Sequence, residues 1–234
     1  MINFEKVRRI LTFFAHPDDE TLAAGATIAK LTGSGVDIHV AIPATGINSR
    51  RNVKISKSLK EDLRLLRMNC QKAMGVIGVP AKNIYLGDFS DNEMDKRSLL
   101  ELVHWLEAVI KDVNPEIILT HHRYCTNVDH QYCHQAAVVA TRPALNSHIS
   151  VISGEIPSST GYLRPVQWEP NLYIEVSKRD VERKILAMET YKGEARTDPH
   201  PRSREVLKAI AKVRGSESGF YFAESFMIQK TFLK

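Results

Sequence analysis

The chain has 234 residues, 43% hydrophobic and 25% charged, with a formal net charge of +5, values that suit one globular domain with a full core. No apolar run reaches the length of a membrane span, the opening Met1-Ile2-Asn3-Phe4-Glu5-Lys6 lacks an apolar signal core, and three scattered cysteines, Cys70, Cys125 and Cys133, have no zinc-finger spacing, so a reducing, cytoplasmic setting is expected. The basic residues are spread out, with no stripe interleaved with aromatics, which speaks against nucleic acid and for a substrate carrying some negative charge.

Ile10-Leu11-Thr12-Phe13-Phe14-Ala15 reads as a buried strand. It runs straight into His16-Pro17-Asp18-Asp19-Glu20, and a helical pattern follows at once with Leu22, Ala26, Ile28, Ala29 and Leu31. Gly33 and Gly35 mark a turn, and Val36 to Ile42 alternates as a second strand. Pro43 to Asn52 reads as a polar loop. The next helix is amphipathic, with Leu59, Leu63, Leu66, Cys70 and Ala73 on one face; Gly75 and Gly78 end it before Pro80. Asn83 to Leu86 is a short strand, with Gly87 to Asn92 as the loop at its carboxyl end. Ser98 to Asp112 predicts a helix and Glu116 to Thr120 an apolar strand. That strand ends in a second polar cluster, His121 to His130, which leads into a helix reaching about Ala140. Ile149 to Ile156 and Leu172 to Val176 read as strands, Lys178 to Tyr191 and Arg204 to Arg214 as helices, and the tail from Phe220 to Phe232 as a terminal strand. Strands alternating with helices predict right-handed crossovers. The expected fold is α/β: a Rossmann-like, mostly parallel sheet flanked by helices, in one domain over residues 1–234. With strand order 3-2-1-4-5, the first and fourth strands are neighbours at the switch point, and the two polar clusters meet in one crevice.

The chemistry of the first cluster excludes a dinucleotide site. The GxGxxG turn is missing, and Asp18, Asp19 and Glu20 stand in its place, where they would repel a pyrophosphate. Carboxylates suit a helix N-terminus through its dipole, but that does not account for His16. An imidazole and a carboxylate three positions apart can converge in a tight turn. A distant histidine completes two nitrogens and one oxygen with a fourth position open, the donor set of catalytic zinc. His130 is preferred to His134, which lies one turn further into its helix. Asp18 points elsewhere and is placed to take a proton from an activated water. Asp129 suits the carboxylate that holds a histidine's other ring nitrogen. His121 and His122 either line the pocket or cap the fold, and His39 and His104 read as structural.

Ala15-His16-Pro17-Asp18-Asp19-Glu20 resembles the AHPDDE signature of the PIG-L/LmbE-like zinc de-N-acetylases. The resemblance extends through Asn69 to Val79, through Leu86 to Asn92 (an LGxPD-type loop), and through Pro115 to His122 with Val128-Asp129-His130. It also takes in Tyr191-Lys192 and His200-Pro201-Arg202-Ser203. It implies Zn2+ held by His16, Asp19 and His130, with Asp18 as general base and Asp129 as partner of a site histidine. The implied substrate is an N-acetylated amino sugar or its nucleotide or lipid conjugate, and the implied assembly is a homo-oligomer. Where family members carry a histidine thought to stabilise the oxyanion, this chain has Asn127. Its amide can donate there, or His121, His122 or His200 can supply a charge instead. The family's Gly-Gly is Ala24-Gly25 here, and its middle-helix Glu is Asn69. Arg50, Arg51 and Arg202 are candidates for gripping a phosphate or carboxylate with a bidentate fork, or else are solvated surface charges. Two rival functions are a metal-dependent phosphoester hydrolase, which lacks bridging carboxylates for a second metal, and a non-catalytic sugar- or nucleic-acid-binding protein, which has no need of Asp18.

Overall fold

Ile10 and Phe14 pack into one hydrophobic cluster while Leu11, Phe13 and Ala15 pack into another. This alternation means that the first strand is covered on both faces. The computed structural model describes residues 7–44, 59–143, 148–162 and 168–232; Arg50 and Arg51 lie outside them. Within them the strands are β1 (Arg9–Phe13), β2 (Asp37–Ala44), β3 (Ile84–Phe89), β4 (Ile117–His121), β5 (Ser150–Gly154), β6 (Leu172–Glu175) and β7 (Ala223–Lys230). The helices are α1 (Asp19–Gly33), α2 (Leu59–Val76), α3 (Leu99–Val113), α4 (Val128–Ala140), α5 (Lys178–Thr190) and α6 (Arg204–Ser218). None of the described helices is long and apolar enough to cross a membrane.

The seven strands form one sheet in the order β3-β2-β1-β4-β5-β7-β6. The first five are mutually parallel, and β7 runs antiparallel to both β5 and β6. The terminal strand is therefore inserted between β5 and β6 rather than added at an edge. Helices α1, α2 and α5 cover one face through Leu22, Ile28, Met74 and Ile185. Helices α3 and α4 cover the other through Leu102, Leu106, Cys133 and Ala137. β2 runs to Ala44, so Pro43 belongs to the strand and not to the loop expected there. α2 continues through Gly75 and ends at Val76; the break comes at Gly78, whose φ of +93° suits glycine.

α1 is bent at Ala24, where φ is −143°. The bend leaves backbone groups without helical partners, and a buried ion pair serves them. Ala26 N and Thr27 N donate to the two carboxylate oxygens of Glu224 at 3.2 and 2.6 Å. Lys184 Nζ donates to Leu22 O at 2.8 Å and to Glu224 Oε1 at 2.6 Å. A Cβ at Gly25 would lie 2.9 Å from Lys184 Cγ, so glycine is what lets the lysine stem cross the helix there. The bend separates the first turn of α1, which carries Asp19 and Glu20, from the rest of the helix.

β1 lies between β2 and β4, with Phe13 in register with Thr120. The chain crosses from one side of β1 to the other between β3 and β4, and this is the switch point at which open α/β sheets form a crevice.

Candidate metal centre

The turn after β1 carries backbone strain. Asp18 has φ +119°, a conformation that costs a non-glycine residue about 1–3 kcal/mol and recurs at functional sites. Two contacts stabilise it: Asp19 N donates to His16 O at 3.2 Å, and Asp18 N donates to Glu20 Oε2 at 3.1 Å. Glu20 is itself fixed, its Oε1 accepting from Tyr191 Oη and Thr21 Oγ1, both at 2.7 Å. The consequence is that His16 and Asp19 aim at one point while Asp18 turns away.

α4 delivers the third group to that point. His16 Nδ1 lies 3.1 Å from Asp19 Oδ2, His130 Nε2 lies 3.1 Å from the same oxygen, and the two nitrogens are 3.3 Å apart. Two ligands held about 2.0–2.1 Å from a tetrahedral ion are separated by ~3.3 Å, so this triangle has the edges such an ion requires. Two converging imidazole nitrogens and a carboxylate oxygen form a cluster able to hold a metal.

The far side of each ring is held as well. His16 Nε2 faces Asp129 Oδ2 at 2.9 Å and Asp91 Oδ1 at 3.0 Å. With its proton on Nε2, the lone pair of Nδ1 points at the ion position. Asp129 thus serves His16, across the crevice, rather than its sequence neighbour His130. It is pinned there by Asn92 N and Met94 N, which donate to it at 2.6 and 3.1 Å. His130 Nδ1 meets Cys125 Sγ at 3.0 Å, and that thiol in turn reaches Ser159 Oγ at 3.0 Å. A proton on Nδ1 leaves Nε2 free to bind.

The titration behaviour follows from this crowding. Burial disfavours the charged form of His16, yet Asp129, Asp19 and Asp91 hold it well above its ordinary value. Burial also opposes protonation of His130, but the charge of Asp19 lifts it to about 9. Asp19 is pushed up by burial and brought well below the usual carboxylate range by His130 and His16. Asp18 goes the other way. Burial lifts it to about 8, with Asp19 and Glu20 adding to the rise and Arg202 opposing it.

These groups sit at the bottom of an open cleft of about 570 Å³. Asp91 and Asn92, Thr126 and Asn127, Ser158 and Ser159, and Glu194, Arg196, His200 and Arg202 from the segment between α5 and α6 line it. Arg202 Nη1 donates to Asp18 Oδ2 at 2.7 Å and to Glu194 Oε2 at 2.8 Å, and Nε donates to Ser158 Oγ at 3.3 Å. His200 lines the cleft and accepts from Arg202 N through Nδ1 at 3.1 Å. Asn127 also lines it, but both ends of its side chain are engaged. Nδ2 donates to Asn92 Oδ1 at 2.9 Å, and Oδ1 caps α4 by accepting from Asp129 N at 2.8 Å.

His121 and His122 are not among the lining residues. His121 is fully buried beneath the site; it stacks on His130 at 3.8 Å between centroids, and its Nε2 accepts from Ala15 N at 2.8 Å. Burial, with His130 beside it, keeps it neutral. His122 packs edge-on against Tyr124 and Trp168. His134 is turned away, toward His121 O at 2.9 Å. Sequence reasoning assigned no role to Asp91, Cys125, Glu194 or Arg196. Asp91 had a signal, a carboxylate in the loop at the carboxyl end of β3. Cys125 had none, because its link to His130 comes from the turn between β4 and α4.

Comparison with known proteins bears on the family and the fold. The diacetylchitobiose deacetylase of Thermococcus kodakarensis is 28% identical over 233 residues, covering 94% of this chain and 83% of that protein. Among solved structures, the N,N'-diacetylchitobiose deacetylase of Pyrococcus horikoshii superposes with a TM-score of 0.77 at 21% identity, over 97% of this chain and 85% of that one. The 4-carboxy-2-hydroxymuconate hydratase GalB of Pseudomonas putida superposes with a TM-score of 0.75 at 18% identity, over 97% of this chain and 98% of that one. At such identities the two superpositions speak for the fold alone. The sequence pattern of the family described as PIG-L, GlcNAc-PI de-N-acetylase, runs through residues 11–141, which include both polar clusters, the end of β1 and all of β4. By that match the chain belongs to the PIG-L family.

Proposed function

We propose that the protein is a zinc-dependent hydrolase that removes the acetyl group from an N-acetylated amino sugar or its conjugate. The observation that carries this reading is the triangle of His16 Nδ1, Asp19 Oδ2 and His130 Nε2, with the carboxylate of Asp18 beside it at the foot of an open cleft. The Thermococcus relative, a diacetylchitobiose deacetylase, supports the reaction and the class of substrate.

His16, Asp19 and His130 would hold the ion, and Asp129, Asp91 and Cys125 would keep the two rings aimed at it. When bound, zinc polarises the carbonyl of an amide and lowers the pKa of a water molecule to near neutrality. Asp18 receives a proton from the attacking water and passes it to the departing nitrogen. A carboxylate beside a metal-activated water is an adequate base, and the carboxylic acid it becomes can protonate the departing nitrogen. The walls of the cleft carry amides, hydroxyls and charges rather than apolar surface, a lining matched to the hydroxyls of a sugar.

Metal analysis tests the reading together with an acetate-release assay over free, nucleotide-linked and lipid-linked N-acetyl sugars. About one zinc per chain is expected, and Asp18→Ala should keep the zinc while its turnover drops by at least about 10²-fold. Full activity in metal-free protein would overturn the mechanism.

A further inference from the structure

Water adding to an amide places a full negative charge on the carbonyl oxygen, and a donor fixed there in advance lowers the barrier more than most other devices. Several side chains near the site are less well suited to be that donor. Asn127 is tied at both ends, one Nδ2 hydrogen to Asn92 and Oδ1 to the cap of α4, and its remaining amide hydrogen is an uncharged donor. His121 lies under His130 with Nε2 already accepting from Ala15 N, and His122 faces aromatic rings outside the cleft. His200 is in the cleft with Nδ1 accepting from the backbone N of Arg202, so its ring is neutral and offers at Nε2 an uncharged donor, weaker toward an oxyanion than a guanidinium.

Arg202 is placed differently. Its side chain is 22% exposed and is fixed at three points. Nη1 bridges Asp18 Oδ2 at 2.7 Å and Glu194 Oε2 at 2.8 Å, while Nε rests on Ser158 Oγ at 3.3 Å. Nη2 has no hydrogen-bond partner among the described residues. A guanidinium is planar and rigid, so once Nη1 and Nε are fixed, the direction of Nη2 is fixed too. The group that bonds the carboxylate of Asp18 thus holds a spare donor in the same plane, on a side chain that lines the cleft.

We propose that Arg202 is a catalytic residue whose Nη2 donates to the amide oxygen as it becomes an oxyanion, while Nη1 aims Asp18. This rests on the reading of the site as an amide hydrolase. In the first half of the reaction the oxygen of water bonds to the carbonyl carbon, Asp18 takes one proton of that water, and the carbonyl π pair moves onto oxygen, where Nη2 meets it. In the second half the pair returns, the C–N bond breaks, and Asp18 gives its proton to the nitrogen. The products are acetate and a free amine, and no oxidant or further reactant is needed. A lysine at this position supplies a point charge without the planar fork, so it serves either Asp18 or the oxyanion and not both.

The test uses the zinc-loaded full chain, with Arg202→Ala and Arg202→Lys assayed on a neutral N-acetyl sugar and on one carrying a phosphate or carboxylate. For Arg202→Ala, kcat should fall by about 10²–10³-fold on both substrates, with KM changed little. Arg202→Lys should recover only part of that loss. Added guanidinium ion should restore turnover to Arg202→Ala and not to Asp18→Ala, and zinc content should equal that of the unmodified chain in both Arg202 variants. A rise in KM confined to the anionic substrate, with kcat retained, would overturn the proposal and make Arg202 a grip for the substrate's anion. So would an Arg202→Lys variant, with full zinc and an unchanged melting temperature, that turns over as fast as the unmodified chain. If the unmodified chain releases acetate from none of the substrates, the amide-hydrolase reading itself falls and this proposal falls with it. If the unmodified chain is active and only the Arg202 variants behave otherwise than stated, the proposal alone falls.

Discussion

At the residue scale, the organisation of the centre depends on what stands behind each ring. His16 would be a poor ligand if its ring could swing, and Asp129 and Asp91 prevent that from 2.9 and 3.0 Å. Asp129→Asn leaves the shape and removes the charge, so the amide can no longer draw the proton onto Nε2. Zinc affinity, measured by competition with a chromogenic chelator, is expected to fall about 10–100-fold. Unchanged affinity would mean that Asp91 alone suffices to orient His16. The pair His16 and Asp19 was legible from the sequence because the two residues are three positions apart in one turn. Asp91 and Cys125 were not, because the contacts that give them meaning join separate loops. The arginines divide in the same way. Arg202 could be named as a cation near the site from its short motif, but its seat on Asp18 depends on how the segment between α5 and α6 folds back over the cleft.

At the element scale, α1 is the part whose mechanics matter most. Its pattern of Leu22, Ala26 and Ile28 predicted a helix, and the structure shows a bent one. The bend is stabilised from 160 residues away and more, by Lys184 on α5 and Glu224 on β7. No local propensity can announce that, since Ala24 and Gly25 alone are compatible with a straight helix and with a bent one. Lys184→Met keeps most of the stem and removes the ammonium, which leaves the carboxylate of Glu224 buried beside the break without its counter-ion. A loss of about 3–5 kcal/mol in unfolding free energy is expected from denaturant titration. A loss under about 1 kcal/mol would show that the backbone donors of α1 suffice to hold Glu224. The strained turn at Asp18 rests on the same foundation, because Glu20, which braces it, sits in the first turn of this helix.

At the scale of the whole molecule, strand order is what joins the two halves of the site. Because β1 and β4 are neighbours, His16 and His130, more than a hundred residues apart in sequence, come within 3.3 Å of each other. A bound ion therefore links the turn after β1 to the start of α4, and binding the folded state alone stabilises it. At free zinc a hundred times its dissociation constant, the gain is about 2.7 kcal/mol. Removing the metal with a chelator should lower the melting temperature in a concentration-dependent way, and adding zinc back should restore it. A melting temperature indifferent to metal would argue against tight binding at the triangle. The superposition on GalB, a hydratase, marks the limit of what this architecture can say. The scaffold accommodates more than one chemistry, and the case for amide hydrolysis rests on the residues in the cleft.

The sequence by itself determined the alternation of strands and helices, the parallel centre of the sheet and the closeness of His16 and Asp19 in one turn. These depend on periodicity and on residues close together in the chain, and such effects act before any long-range contact forms. Only the tertiary structure decided that β7 enters between β5 and β6, that Asp129 holds His16 and not His130, that His121 lies beneath the site instead of lining it, and that Arg202 reaches Asp18. Each of these is a contact between segments far apart in sequence, fixed by how helices pack across a twisted sheet, and no short stretch of residues encodes it alone.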